Sequence, residues 1–167
     1  MSDKSYLSVY AKSFSWAGFF LPRETLKKCS VLYDFCRVAD NIADDKDKIE
    51  VKEKKFAEFE NDFNQKKFDN LIIKNMWGIM EEFNISIKIV QDLLAGIKSD
   101  IKERVELNSK KDLLIYSYRV AGTVGLMMAK ILNVTKKNSL KSAIDLGIAM
   151  QLTNISRDVL ELSLIHI

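Results

Sequence analysis

Residues 87–101 of the chain read IKIVQDLLAGIKSDI. Apolar side chains return there at intervals of three and four residues, at Ile87, Val90, Leu94, Ile97 and Ile101. Because an α-helix completes a turn in about 3.6 residues, this spacing puts those side chains on one face. The stretch therefore predicts an amphipathic helix that packs its apolar face against the rest of the protein.

Similar periodicity continues on both sides of that stretch. A proline is tolerated in the first turn of a helix, so Pro22 predicts a helix that starts there and ends at about Asp44. Further helices are predicted over about 51–63, 68–83, 111–132 and 138–162. With one proline and six glycines in 167 residues, the chain lacks the turn residues that an all-β domain needs. We expect one all-α domain over residues 1–167, built as a helical bundle.

Charge and composition exclude several classes of protein. The 26 basic and 23 acidic residues leave a net charge of +3, without a basic cluster interleaved with aromatics, so nucleic acid is not an expected partner. No apolar segment approaches the roughly 20 residues of a transmembrane helix, and the first residues lack a signal peptide's apolar core. Cys29 and Cys36 lie on one predicted helix and are expected to be buried free thiols. These features predict a cytoplasmic protein.

Two predicted helices carry a polar stripe between apolar flanks. Offsets of 0, 4, 7 and 11 residues put each stripe on one helical face: Tyr33, Arg37, Asp40 and Asp44 in the first, and Gly147, Gln151, Asn154 and Asp158 in the last. Asp40 and Asp44 repel each other at this spacing unless a cation lies between them. Asn154 and Asp158 offer a second pair of oxygen ligands, of the kind that Mg²⁺ prefers together with phosphate.

Arginines accompany both stripes. Arg37 and Arg157 can each grip phosphate oxygens with a forked guanidinium group, which suggests a diphosphate held through Mg²⁺. The plainer alternative is a solvated helix on which Arg37 and Asp40 form an ordinary ion pair. The matching second stripe favours the diphosphate site over coincidence.

Residues 116–128, YSYRVAGTVGLMM, place two glycines inside a predicted helix. Gly122 and Gly125 each cost helix stability, about 1 kcal/mol relative to alanine, and such residues mark a close approach by a backbone or a ligand. Two interpretations stay open: tight packing between helices, or an apolar channel beside the polar stripes. Met127 and Met128 are expected to fill the core.

These stretches together resemble the squalene/phytoene synthase family of head-to-head isoprenoid synthases. Residues 11–15, AKSFS, resemble the family's N-terminal substrate-binding segment, and residues 19–44 resemble its first aspartate motif. Residues 116–128 resemble its YxYxVAGxVG segment, and residues 151–158 open its second motif, QxxNxxRDxxxD. The resemblance implies the N-terminal part of an all-α bundle of the isoprenoid-synthase type.

The resemblance also implies a role for each matching residue. The expected catalytic set is Tyr33, Arg37, Asp40, Asp44, Tyr116 and Asp158, and the expected ligands of Mg²⁺ are Asp40, Asp44, Asn154 and Asp158. The expected substrate-binding residues are Lys12, Ser13, Phe14, Val120, Ala121, Val124, Gly125, Gln151 and Arg157. Of these, residues 120–125 would line the prenyl channel.

The implied reaction joins two identical prenyl diphosphates with loss of diphosphate. Residues 120–128 are similar to the bacterial carotenoid branch, which favours formation of phytoene from geranylgeranyl diphosphate. The alternative is squalene or dehydrosqualene from farnesyl diphosphate, with NADPH needed only for squalene. A non-catalytic relative would lack the aspartates, and a head-to-tail synthase or terpene cyclase would carry a DDxxD-type run. Release of the product is expected to involve peripheral contact with a membrane.

The end of the chain departs from the family pattern. The second motif should finish with an aspartate four residues after Asp158, but that position is Leu162. Relatives continue for several further helices. The chain is therefore expected to be an incomplete domain that is inactive by itself, with residues 162–167 as a tail outside the pattern.

Overall fold

The computed structural model describes residues 18, 20–102 and 107–165, with side chains to residue 158. The α-helices over these residues are α1 (Arg23–Ala43), α2 (Ile49–Asn64), α3 (Leu71–Glu82), α4 (Ile87–Lys98), α5 (Lys110–Ser117), α6 (Thr123–Ile131) and α7 (Lys137–Ile165). A 3₁₀ turn, Ser99–Ile101, follows α4, and a π-helical segment, Tyr118–Gly122, joins α5 to α6. The described part of the chain contains no strand, which confirms the prediction of an all-α bundle.

Several helices begin at a polar residue whose side chain accepts a hydrogen bond from the first turn. Asn70 accepts from the backbone N–H groups of Ile72 and Ile73 at the start of α3, and Ser86 accepts from that of Lys88 at the start of α4. Such caps satisfy backbone donors that have no partner within the helix. At α1, Pro22 lies directly before the helix rather than within its first turn, and its carbonyl oxygen accepts from Leu26.

The core is built around α1, which packs against α2, α3, α4 and α6. Phe35 of α1 is fully buried, and its ring centroid lies 5.5 Å from that of Phe59 and 5.4 Å from that of Phe63. Trp77 of α3 stacks on Phe63 at 5.3 Å and donates its indole N–H to the Phe63 carbonyl oxygen at 3.0 Å. Aromatic contacts at this range stabilise packing beyond simple burial. The aromatic cluster thus fixes α1 against α2 and α3.

Met127, Met128 and the two cysteines are expected in the core, and all but Cys36 fit that prediction closely. Met127 is fully buried and Met128 packs against the core. Cys29 is buried, Cys36 is partly buried, and both are free thiols. Burial raises the pKa of both thiols, which makes them poor nucleophiles. Across the described helices, none is long and apolar enough to cross a membrane.

Glycines allow α7 to approach the π-helical segment and α6 very closely. A Cβ atom added at Gly125 would lie 2.3 Å from the carbonyl oxygen of Ala143, and one at Gly147 would lie 2.4 Å from that of Ala121. Both obstacles are backbone atoms, so a side chain at either position forces the helices apart. Close helix packing is therefore a sufficient reason for a glycine at position 125, and its place along a prenyl channel stays a prediction. Gly147, predicted as part of the second polar stripe, belongs to the same contact.

Candidate functional site

The first polar stripe lies on the side of α1 away from the aromatic cluster. Tyr33, Arg37 and Asp40 are half-buried, whereas Asp44 directly follows the helix and is exposed. The backbone N–H of Asp44 donates to the carbonyl oxygen of Asp40 at 2.8 Å, so the last turn of the helix holds the two aspartates together. Tyr33 and Arg37 are each two residues from Phe35, which places them on roughly the opposite side of the helix.

The loop after Asp44 is held in place by two lysines of α2. Lys52 donates from its ammonium group to the carbonyl oxygen of Ala43 at 2.9 Å, which satisfies a backbone acceptor at the end of α1. Lys55 pairs with Asp45 at 3.1 Å and with Asp47 at 2.5 Å. The acidic run after Asp44 is therefore tied to α2, and the end of α1 is braced beside the site.

Asp40 lies in an environment that disfavours its negative charge. Burial raises the pKa of this carboxyl group to about 6, the Asp44 and Asp100 carboxylates add to the rise, and the Arg37 guanidinium group opposes it. A bound cation would reduce the cost of a negative charge on Asp40, because it would offset the repulsion among the carboxylates.

The donor chemistry of the two aspartates fits Mg²⁺. Over the described residues, no three His, Cys, Asp or Glu side chains are grouped closely enough to hold a metal ion by themselves. Magnesium is commonly bound through one or two carboxylates, with substrate phosphate and water completing its shell. Asp40 and Asp44 would supply the protein's part of such a site, and this role stays a prediction.

Asp100 belongs to this acidic group, although the sequence patterns did not predict it. It lies in the 3₁₀ turn after α4, and its Oδ2 atom accepts a hydrogen bond from the Tyr116 hydroxyl at 3.1 Å. Burial raises its pKa to about 6, the hydrogen bond from Tyr116 lowers it, and the Asp44 carboxylate raises it again. The available signal was an acidic residue at the edge of the apolar face of residues 87–101.

Tyr116 of α5 faces the same acidic group. It is half-buried, and its pKa is raised first by burial and then by the carboxylates of Asp100, Asp40 and Asp44. The structure therefore brings Tyr116 of α5 near Asp40 and Asp44 at the end of α1. The catalytic roles of these residues stay a prediction.

Residues 120–125 contact neighbouring helices. A Cβ atom at Gly96 of α4 would lie 2.9 Å from Cγ1 of Val120, so Val120 packs closely on α4. Ala121 lies against Gly147 through its carbonyl oxygen, and Val124 packs against the hydrophobic core. Their role as the wall of a prenyl channel stays a prediction.

The second polar stripe is more exposed than the first. Gln151 is half-buried, whereas Asn154, Arg157 and Asp158 are exposed on α7, and Arg157 pairs with Asp158 at 3.0 Å. Among the described residues, the charged groups that shift the pKa of Asp40 are Asp44, Arg37 and Asp100. Asp158 is not one of them. The joint binding of one metal cluster by both stripes stays a prediction. Lys12, Ser13 and Phe14 lie outside the described residues.

The raised pKa of Asp40 leads to a pH-dependence that can be measured without substrate. We expect the metal-free protein to gain stability as the pH falls from about 7 to 5. The sign follows because a carboxyl group with a folded-state pKa near 6, above its ordinary 3.8, binds a proton more readily in the folded state. This contribution is fully present below the unfolded pKa and is lost as the pH rises through the folded one.

Urea unfolding at a series of pH values tests this expectation. The stability of the variant Asp40→Asn should depend less steeply on pH. Among the described residues Asp40 and Asp100 are the carboxyl groups with a pKa raised to about 6, and the variant keeps only the contribution of Asp100. An unchanged slope in Asp40→Asn would show that Asp40 is well solvated in the folded protein.

Comparisons with known proteins identify the family of the chain. The family model for squalene/phytoene synthase matches residues 7–164. The 15-cis-phytoene synthase of Pantoea ananas is 30% identical over 93% of this chain and 54% of its own length. The phytoene synthase of Rhodobacter capsulatus is 33% identical over 88% of this chain and 44% of its own length.

A solved structure gives the same result for the fold. A crystal structure of a dehydrosqualene synthase in complex with ligand has a TM-score of 0.72 and 30% identity to this chain, and covers 89% of this chain and 52% of its own. The chain thus spans about half the length of the relatives it matches. The family match includes both aspartate stripes and the glycine segment. The chain belongs to the squalene/phytoene synthase family.

Proposed function

We propose that the protein is a Mg²⁺-dependent prenyltransferase that joins two molecules of geranylgeranyl diphosphate head to head to form phytoene. The observation that carries the proposal is the group of Asp40, Asp44 and Tyr116 beside Arg37, in a chain of this family. Phytoene synthases among the relatives support geranylgeranyl diphosphate as the substrate.

Asp40 and Asp44 would hold the metal in this reaction. When bound, Mg²⁺ neutralises charge on the diphosphate oxygens and so makes diphosphate a better leaving group. Arg37 would add a forked donor to the same oxygens, because its guanidinium group lies beside Asp40. Both effects stabilise the negative charge that develops as the C1–O bond of the first substrate breaks.

The carbon chemistry then needs an apolar space from which water is excluded. The electron pair of the broken C1–O bond leaves with diphosphate, and the double bond of the second substrate attacks the allylic cation. Loss of a proton gives a cyclopropylcarbinyl diphosphate. A second loss of diphosphate, rearrangement and a second loss of a proton give phytoene, so no reductant is consumed.

A second candidate is the formation of dehydrosqualene or squalene from farnesyl diphosphate. It is favoured by one observation, the 30% identity of the chain to a dehydrosqualene synthase of solved structure. The squalene branch differs chemically, since its last cation takes a hydride from NADPH instead of losing a proton.

Product analysis separates the two candidates. The full-length product of the gene is incubated with Mg²⁺ and either the C20 or the C15 diphosphate, and the extract is analysed by chromatography with mass detection. We expect phytoene from the C20 substrate, and loss of product when the metal is chelated. A C30 hydrocarbon formed in preference to phytoene would support the second candidate. Absence of diphosphate release from both substrates would contradict the prenyltransferase proposal.

The expected product also bears on the location of the protein. Phytoene is a hydrocarbon without polar groups, so we propose that the protein acts in the cytoplasm and releases its product at a membrane surface, by peripheral contact. Co-sedimentation with lipid vesicles tests this, and equal recovery of protein with and without vesicles would contradict it.

A further inference from the structure

The position of Asp100 is set by close packing around the end of α4. Gly96 allows α4 to approach the π-helical segment, because a Cβ atom there would lie 2.8 Å from Cβ of Arg119. Ser99 then donates its hydroxyl to the carbonyl oxygen of Gly96 at 2.5 Å, and Ile101 is buried. These contacts hold the 3₁₀ turn on both sides of Asp100, so its carboxylate is directed at Tyr116 by the fold itself.

The hydrogen bond between these residues decides what Tyr116 can offer a substrate. A phenol carries a single proton, and Tyr116 donates it to Oδ2 of Asp100 at 3.1 Å. With that proton engaged, the hydroxyl oxygen can act only as an acceptor. A hydrogen bond to a carboxylate also draws electron density towards the phenol oxygen, since charge-assisted bonds are the strong ones.

The second oxygen of Asp100 has an unusual environment. Its Oδ1 atom is buried and accepts no hydrogen bond from the described residues. A buried carboxylate oxygen without a donor costs free energy in the folded state. Among the described residues, Tyr116 and the Asp44 carboxylate shift the pKa of Asp100, and the Asp100 carboxylate in turn raises that of Asp40.

We propose that Asp100 is a positioning residue that holds the Tyr116 hydroxyl as an acceptor, so that Tyr116 stabilises the allylic cation instead of donating to diphosphate. Asp100 acts through Tyr116 and need not touch the substrate. The inference rests on the proposed function, because the cation exists only in that reaction. It adds a residue outside both aspartate stripes and outside the glycine segment.

The first test observes the hydrogen bond without turnover. The hydroxyl proton and the ring carbon next to the hydroxyl of Tyr116 are followed by NMR in the full-length product of the gene, with assignment by Tyr116→Phe. We expect a slowly exchanging hydroxyl proton in the wild type, and faster exchange with a shifted carbon resonance in Asp100→Asn. The control Asp92→Asn removes a charge from α4 at a residue that pairs with Lys88, and it should leave both signals unchanged.

The second test measures catalysis. Asp100→Asn should lower kcat by roughly tenfold to a hundredfold, the range expected for loss of a charged hydrogen bond, and should leave KM nearly unchanged. The same substitution should have little further effect in the Tyr116→Phe background, because its action passes through the hydroxyl group. Asp100→Ser serves as a second uncharged variant if Asp100→Asn folds poorly. The thermal unfolding temperature of each variant shows whether a loss of activity comes from a loss of stability.

The outcomes separate this inference from the proposed function. Unchanged NMR signals in Asp100→Asn, or an unchanged kcat in an active enzyme, would overturn the inference and leave the prenyltransferase proposal standing. A rise in KM with unchanged kcat would also overturn it, because Tyr116 would then bind the ground state. Absence of turnover in the wild type would contradict the proposed function. The NMR experiment would still show whether Asp100 accepts a hydrogen bond from the Tyr116 hydroxyl.

Discussion

The double substitution Asp40→Asn with Asp44→Asn should lower turnover of the full-length gene product by at least about a thousandfold, through loss of the metal-diphosphate anchor. Folding should survive, because the change removes two carboxylates that repel each other and opens no cavity in the core. The rate of diphosphate release measures the first effect, and urea unfolding measures the second. Calorimetric titration with Mg²⁺ and inorganic diphosphate should show weaker binding to the variant.

A matched control lies in the loop that follows. Asp45→Asn with Asp47→Asn removes the same amount of charge and breaks two ion pairs with Lys55, but touches no residue of the acidic group. This control should keep near-normal turnover, since exposed ion pairs contribute little. If a soluble Asp40→Asn, Asp44→Asn protein turned over at a near-normal rate, the metal assignment would be wrong. Equal losses in both double variants would point to net charge instead of metal binding.

The helices could be predicted from the sequence because their apolar spacing is a local property. The stretch 87–101 and the segment after Pro22 carry that spacing clearly, and the structure places α4 and α1 there. The π-helical segment was not predicted. It depends on how the glycine-rich stretch meets α4 and α7, and these contacts leave no periodic signal in the residues themselves.

In the candidate site too, local patterns could be predicted from the sequence and contacts between helices could not. Asp40 and Asp44 could be identified from four-residue spacing, which is a property of one helix. Four-residue spacing does not connect Asp100 to the site, because its hydrogen-bond partner Tyr116 lies beyond a turn and on another helix. Spacing identifies which residues share a face, but it does not identify what covers that face. Gly147 illustrates this, since it has the right offset for the polar stripe and yet lies against the backbone of Ala121.

The contacts of α7 with α6 and with the π-helical segment lead to the largest expected effect on stability. We expect Gly125→Ala and Gly147→Ala each to lower the free energy of unfolding by about 2 kcal/mol or more, the range for overpacking, although alanine favours a helix over glycine by about 1 kcal/mol. A methyl group at either position would lie 2.3 Å or 2.4 Å from a backbone carbonyl oxygen, and backbone atoms cannot rotate away as the end of a side chain can.

Gly78 in α3 provides the matched control, because nothing lies within 4 Å of a Cβ atom placed there. Gly78→Ala should therefore raise the free energy of unfolding by up to about 1 kcal/mol, through helix propensity alone. Urea unfolding of the three variants gives the comparison, and Gly78→Ala should fall on the opposite side of the wild type from the other two. If Gly125→Ala were as stable as Gly78→Ala, α7 would not pack on α6 through Gly125, and the space beside that residue would be open for a prenyl chain.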